Sequence, residues 1–396
     1  MDPSANATER RLVRVIGAIV FVDTMFYAAI APLLPTLAHQ LHLSKLSAGL
    51  MTASYPLGTL IGSLPGGLLA ARAGPKFTVC AGLALLACST LCFGWLDSAA
   101  ALDAARFVEG VGGACSWAGG LAWIVAEAAP ERRGGLIGAA LGAAIAGALF
   151  GPVIGTVANA AGRGPTFSAV VFLAVLLIAQ ARRLPSSHVG SQQGLRELRD
   201  AISSPGLLAS MWLVALPAVA SGVLGVLGPL RLHRLGAGTA VIGATFLAAA
   251  AGEAALSPVI GRLSDRCGRI VPLRFGLGAA TGLLVCFLLP HNPFPLAVVI
   301  VALASALAAF WAPAMAMLAD AADVAGLDQA LAAALMNLAW AGGQIFGAGG
   351  GGAVAKAAGD SVPVIAAAGL CAATLLVFAG APTARPEVAR QTRTRA

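Results

Sequence analysis

Apolar stretches alternate with short polar breaks along the whole chain. Each stretch is long enough to cross a membrane, since a bilayer core of about 30 Å takes roughly 20 helical residues. The pattern predicts twelve such runs, at 12–35, 46–69, 77–97, 101–126, 134–157, 166–183, 207–230, 239–260, 271–290, 294–319, 329–355 and 361–381. Lipid offers the backbone no hydrogen-bond partners, so each run must pair internally and is read as a helix. The Pro290-His291-Asn292-Pro293 turn separates the ninth run from the tenth. The first run lacks a small-residue cleavage site and is read as a retained span.

Composition supports the pattern. The chain is 58% hydrophobic and 11% charged, whereas soluble domains carry roughly a quarter charged residues. Most of its surface therefore faces lipid. The net charge of +8 is not gathered into a nucleic-acid patch but divided among the breaks. Placing the N-terminus in the cytoplasm leaves only Lys45, Arg163, Arg231, Arg234 and Lys356 on the outer side, while every other Lys and Arg except Arg106 falls inside. That bias predicts a multi-pass protein of the cell membrane with both termini cytoplasmic, which requires an even number of spans.

The longest polar break, 184–206, reads as a cytoplasmic linker between a bundle at 1–183 and a second at 207–396, the latter ending in a cytoplasmic tail. The halves repeat. Gly67-Leu-Leu-Ala-Ala-Arg72-Ala-Gly74-Pro-Lys76 follows span 2, and Gly261-Arg-Leu-Ser-Asp265-Arg266-Cys-Gly268-Arg269 follows span 8. Duplicated helical units imply an all-α transporter of two pseudo-symmetric six-helix bundles, with its site between the repeats.

On these motifs the chain resembles the major facilitator superfamily, and within it the twelve-helix drug:proton antiporters related to vesicular amine transporters. The resemblance spans the whole chain. It implies that the loop motif G-x-L-x-D-R-x-G-R/K is a gate whose Asp docks on a helix end of the opposite half. Asp265 fills that role in the second copy, but Ala71 replaces the Asp in the first. Asp328, just before span 11, could cap that helix instead. Span 5 carries Gly147-Ala-Leu-Phe-Gly151-Pro152-Val-Ile-Gly155, similar to the family's antiporter motif. Helix packing in a chain with 49 glycines is the other reading. Span 4 carries Arg106-Phe-Val-Glu109-Gly110, similar to a motif whose Arg is linked to proton transfer. Arg106 either pairs in the membrane, with Glu109 nearest at i+3, or snorkels to the outer edge.

Asp23, midway along span 1, is the strongest functional candidate, because a carboxylate in hydrocarbon is costly and generally functional. Its spacing to Pro32 and Pro35 resembles that of amine transporters, where the Asp meets a cationic substrate or the coupling proton. The bland reading is a polar contact to a neighbouring helix. Glu253 in span 8 is a second candidate, either protonatable or paired with an Arg; Thr59 stands at the matching point of the first half. Glu127, Asp320 and Asp323 are expected to pair with Arg72, Arg262 and Arg266 at the cytoplasmic gate. Asn337 and Gln344 in span 11 could donate hydrogen bonds to a substrate or serve helix packing; Tyr27, Trp311 and Trp340, with Trp117 and Trp123, are candidate cavity-lining residues, since aromatic faces attract cations, and the Trp residues could equally sit at the membrane interface.

Chemistry of other kinds finds no support. The five histidines fall in loops or at helix ends, the cysteines form no metal-ligand spacing, and no H-E-x-x-H or Walker motif occurs. The expected function is proton-coupled antiport exporting small amphipathic or cationic molecules, with no metal and no cofactor beyond the proton gradient. A proton-coupled symporter or sugar transporter of the same fold is the alternative. The expected partners are a small-molecule substrate, protons and the bilayer, with no nucleic acid. The resemblance implies a monomer.

Overall fold

A computed structural model describes residues 3–127, 130–185, 204–327 and 329–380. Residues 186–203, most of the expected 184–206 linker, and Asp328 and the tail from residue 381 lie outside the described residues. Every element described is helical. In the first half, α1 (Pro3–Ala28) and α2 (Ile30–Gln40) share one span; α3 (Lys45–Ala73), α4 (Pro75–Trp95), α5 (Ala99–Glu127), α6 (Pro130–Ala161) and α7 (Arg163–Arg182) follow. The second half runs α8 (Pro205–Arg234), α9 (Thr239–Cys267), α10 (Ile270–Cys286) and α11 (Pro293–Val324). Then come α12 (Gln329–Ile345), a π-helical turn at Phe346–Gly350 and α13 (Gly351–Ala358) as one span, and α14 (Ser361–Ala379). These make twelve transmembrane spans in two pseudo-symmetric bundles. Each expected span overlaps one observed span, though most helices extend several residues further into the polar breaks.

Two spans are not the continuous helices expected. The first breaks at Ala29, where the amide turns to the Phe26 carbonyl at 3.2 Å. Pro32 has no N–H for the Ala28 carbonyl and its ring crowds that oxygen, which weakens the helix at this turn. Span 11 widens into a π turn at Phe346-Gly-Ala-Gly-Gly350, a glycine-rich segment with little intrinsic hold on α geometry.

The duplication shows in the turns. Gly74 and Gly268, in the repeated loop, both take left-handed backbone (φ 92° and 80°), a region nearly closed to residues with a Cβ. Gly162 and Gly359 match likewise before the last span of each half, and His42 (φ 51°) matches Gly236 (φ 92°) after the first. The paired turns after the first spans also share a hydrogen-bond pattern: Leu41 to Leu37 and Leu43 to Ala38, then Leu235 to Arg231 and Ala237 to Leu232.

Among the described residues, nine spans are long and apolar enough to cross a membrane on length and composition alone; α3, α5 and the short α10 are the other three. Helices α3 and α5 are rich in small residues because their backbones touch. A Cβ on Gly58 would strike the Phe107 carbonyl, and one on Gly110 the Tyr55 carbonyl. Close approach through small residues is how helices associate where lipid supplies no hydrophobic drive. The Gly147, Gly151 and Gly155 motif does the same on α1 and α2: added Cβ atoms would meet Phe21, Ala28 and Ala29. Thr24 Oγ1 also donates across this seam to the Ala144 carbonyl at 2.9 Å.

The halves are tied together at the face opposite the termini. There Gly49 of α3 packs on Ala348 and Gly352, and Gly243 of α9 meets Thr156 of α6. Asn159 donates to Thr239, and Lys45 pairs with Asp360 at 2.6 Å. Arg234 shares Asp360. Nearer the termini face, by contrast, Gly135, Gly138 and Gly142 of α6 and Gly261 of α9 have nothing within 4 Å of a built Cβ.

Candidate functional site

Three helices of the first half bring the strongest candidates together. Asp23 on α1 is fully buried. Tyr55 of α3 places its hydroxyl 3.0 Å from each carboxylate oxygen and donates to them. Trp117 of α5 donates its indole N–H to Oδ2 at 3.1 Å. Gly113 provides the space: a Cβ there would lie 2.6 Å from Asp23 Oδ1 and 2.7 Å from the Tyr55 hydroxyl.

One to three turns away on α5, Arg106 and Glu109 form a buried ion pair, each side chain 3% exposed. Arg106 Nη1 donates to the two carboxylate oxygens at 3.1 and 3.0 Å. The guanidinium also donates to the Phe26 and Tyr27 carbonyls, both at 3.3 Å. Those carbonyls belong to the last turn of α1, just before the break at Ala29, where a helix end leaves acceptor capacity; the Phe26 carbonyl also accepts from the Ala29 amide. Arg106 therefore caps the end of α1 with a cation, where the helix dipole favours one. Of the two sequence readings, the structure shows the pairing and not the snorkelling, because Arg106 is 2% exposed and its guanidinium finds its acceptors inside the bundle.

The two clusters touch. Arg106 lies over the Tyr55 ring, 5.2 Å from its centroid. Tyr55 packs on Tyr27 (centroids 4.9 Å apart), and Tyr27 meets Trp340 of α12 edge-on at 5.5 Å. The chain has only two tyrosines, and both are here. The Tyr27–Trp340 contact carries the site across the seam to the second half. Counted formally, two carboxylates and one guanidinium leave this buried cluster with one uncompensated negative charge.

The remaining candidates are scattered. Glu253 of α9 is half-buried, with no hydrogen bond or ion pair to its carboxylate among the described residues, but it acts electrostatically on Tyr27. Gln344 is buried and Asn337 and Trp311 half-buried. Trp123 does not line a cavity: it is fully enclosed and donates to the Pro185 carbonyl at 3.0 Å, fixing the end of α7's extension.

The loop-motif residues divide. Gly67 stands open, Arg72 and Arg266 are exposed, and Lys76 donates to the Leu184 carbonyl at 2.7 Å within its own half. The expected partners of Asp320 were Arg72, Arg262 or Arg266; its partner is instead Arg269, which also reaches the Ala316 carbonyl at 2.9 Å. Arg269 starts α10 beside the end of α11, so proximity within the half decides the pair. Asp323 is exposed and Glu127 half-buried. The proposed latch falls on the Asp265 side chain and on Asp328, both outside what is described.

Sequence reasoning missed Tyr55, and with it the donor that faces Asp23. The signal available was its rarity: a chain with two tyrosines placed both inside apolar helices.

A twelve-span helical scaffold with a buried polar site at the seam of two bundles defines a membrane transporter rather than an enzyme. The family profile described as Major Facilitator Superfamily matches residues 16–238 and 210–396. The chain belongs to the major facilitator superfamily. Its fold is shared with a bacterial homologue of the human lysosomal transporter Spinster in an inward-facing, unoccupied conformation (TM-score 0.72, 14% identity, covering 96% of this chain and 97% of that one). The xylose transporter XylE from E. coli, partially occluded and inward open, aligns at TM-score 0.72 and 16% identity over 94% and 99% of the chains. A D-xylose-proton symporter aligns at 0.75 and 18% over 95% and 98%. A search of curated proteins finds no match.

Proposed function

We propose that this transporter is a proton-coupled antiporter that exports small cationic or amphipathic molecules. The observation that carries the reading is the burial of two carboxylates, Asp23 and Glu109, around a single guanidinium, Arg106, a formal excess of one negative charge. A lone buried charge costs at least several kcal/mol, so the cluster favours taking up one cation. A proton or an organic cation satisfies it, and one excludes the other. That competition is the requirement for exchange, because a ligand drives a cycle only through unequal binding to its states. Tyr27, Tyr55, Trp117 and Trp340 supply aromatic surface suited to an organic cation.

In this reading the termini face is cytoplasmic, as the Lys and Arg distribution suggests, and the protein sits in the cell membrane as a monomer. The closure at the opposite face corresponds to a carrier sealed from outside. Asp23, enclosed here by Tyr55 and Trp117, becomes accessible when the Tyr27–Trp340 contact opens. The test is ethidium export from proteoliposomes under an imposed pH gradient. The wild type should export against an inward proton gradient, and Asp23→Asn should not. Full gradient-driven export by Asp23→Asn, or proton and solute moving in the same direction, refutes the proposal.

A further inference from the structure

Inside the first bundle lies a small pocket that the cluster does not fill. It is lined by Ala29, Leu33, Thr90, Phe93, Arg106 and Glu109, among others, and has room for about one water. Two deeply buried polar atoms there lack partners among the described residues: Arg106 Nε and Thr90 Oγ1. Their residues are 2% and 3% exposed. A serine or threonine hydroxyl in a helix ordinarily bonds the carbonyl one turn back, so the idle Thr90 hydroxyl is unusual. Unpaired buried donors are costly, and a pocket of this size whose otherwise apolar wall carries Thr90, Arg106 and Glu109 offers a water the two to four polar partners it needs.

The position of the pocket gives the water a direction. Phe93 stands near the end of α4, Leu33 in α2 and Phe167 near the start of α7. The pocket therefore lies between the Arg106–Glu109 pair and the face opposite the termini. Asp103, one turn further that way on the same stripe of α5, also holds a buried carboxylate oxygen without a partner. The pocket lies within one bundle, lined by first-half residues alone.

Resting on the antiport reading above, we infer that this pocket is a hydrated proton port, with Thr90 positioning the water and Glu109 as first proton acceptor. A hydronium in the pocket gives its proton to a Glu109 carboxylate oxygen: an O–H bond breaks on the water and forms on Glu109, leaving neutral water behind. Arg106 keeps its charge, loses its anionic partner and, already over the Tyr55 ring, takes Asp23 as its counter-charge. The cationic substrate is thereby released. The charged and titratable groups facing Glu109 are Arg106 on its own helix, Asp23 on α1 and Tyr55 on α3; α2, α4 and α7 add only Thr90 and apolar side chains to the pocket lining.

The test is Thr90→Val, which keeps the shape and removes the hydroxyl, with Thr90→Ser as rescue. Two readouts are taken in proteoliposomes: ethidium export driven by a pH gradient, and ethidium–ethidium exchange at equal pH. Thr90→Val should slow gradient-driven export roughly tenfold or more, leave exchange unchanged, and recover in Thr90→Ser. Unchanged gradient-driven export overturns the port, as does an equal loss of both activities. If Thr90→Val does not fold, Thr90→Ala is read by the same criteria. Wild-type protein that shows exchange but no gradient-driven export refutes the antiport reading instead.

Discussion

The two bundles share a scaffold but not a chemistry. His42 and Gly236 are separated by the same number of residues as Gly74 and Gly268. At that spacing Asp23 corresponds to Pro217, Tyr55 to Ala249 and Thr59 to Glu253. The first half buries a carboxylate pair, a guanidinium and a tyrosine. The second half has apolar or small residues at the Asp23 and Tyr55 positions and contributes Trp340 and a half-buried Glu253. Duplication thus preserves what the fold needs, the left-handed turns and close helix contacts, while ionisable groups are concentrated in one copy. The carrier works as a charged half facing a mostly apolar wall.

That asymmetry can be broken directly. The largest effect is expected from Arg106→Gln, which leaves the Asp23 and Glu109 carboxylates buried without their one cation, a change that costs about 3–5 kcal/mol. Glu253→Gln, which removes no ion pair among the described residues, should cost less than about 1 kcal/mol. Thermal unfolding in detergent measures both, and equal losses would erase the contrast between the halves.

Next come the glycines of α6. Gly151→Ala drives a methyl into Ala28 and the Met25 carbonyl and should destabilise by about 1–3 kcal/mol. Gly138→Ala, on the same helix but in open space, should be neutral or gain about 0.5–1 kcal/mol. Opposite signs in the same unfolding assay sharpen the view that the motif holds α6 on α1; matching signs would reject it.

The smallest effect belongs to the clamp at the opposite face. Partial burial pushes the Asp360 carboxyl up, but hydrogen bonds and charges from Lys45 and Arg234 outweigh it and hold it below the usual carboxylate range. A lowered folded value means its contribution is present above the ordinary value near 3.9 and fades as pH falls through the folded one. The clamp should therefore persist unchanged from about pH 5 to 8. Asp360→Asn should cost roughly 0.2–1 kcal/mol and widen label-to-label distances between Gln40→Cys and Lys356→Cys, both exposed and outside the clamp, in a paired spectroscopic measurement. A clamp that opens in wild type between pH 8 and 5 would contradict this.

Much of the fold was legible because lipid makes the rules simple. A run of apolar residues bounded by polar ones has one stable outcome, and the twelve runs found it. The loop motif gave the repeat through Gly74 and Gly268. The site was legible in part: Asp23, Arg106 and Glu109 stand out because a charge in hydrocarbon needs a reason. The Arg106–Glu109 pair was legible at i+3, but its grouping with Asp23 was not. Asp320 took Arg269 rather than an expected partner for the same reason that Tyr55 went unnoticed. Which side chains meet depends on helix rotation, and small residues let several rotations pack.

The sequence by itself determined the number of spans, the membrane setting and the presence of costly buried charge, since each follows from transfer free energy read one residue at a time. Tertiary structure alone decided that Tyr55 and Trp117 hold Asp23, that Arg106 caps the broken end of α1, and that Thr90 faces an unfilled pocket. Those contacts join residues far apart in the chain, and glycine-to-backbone packing sets their distances to within about a bond length, a scale on which hydropathy carries no information.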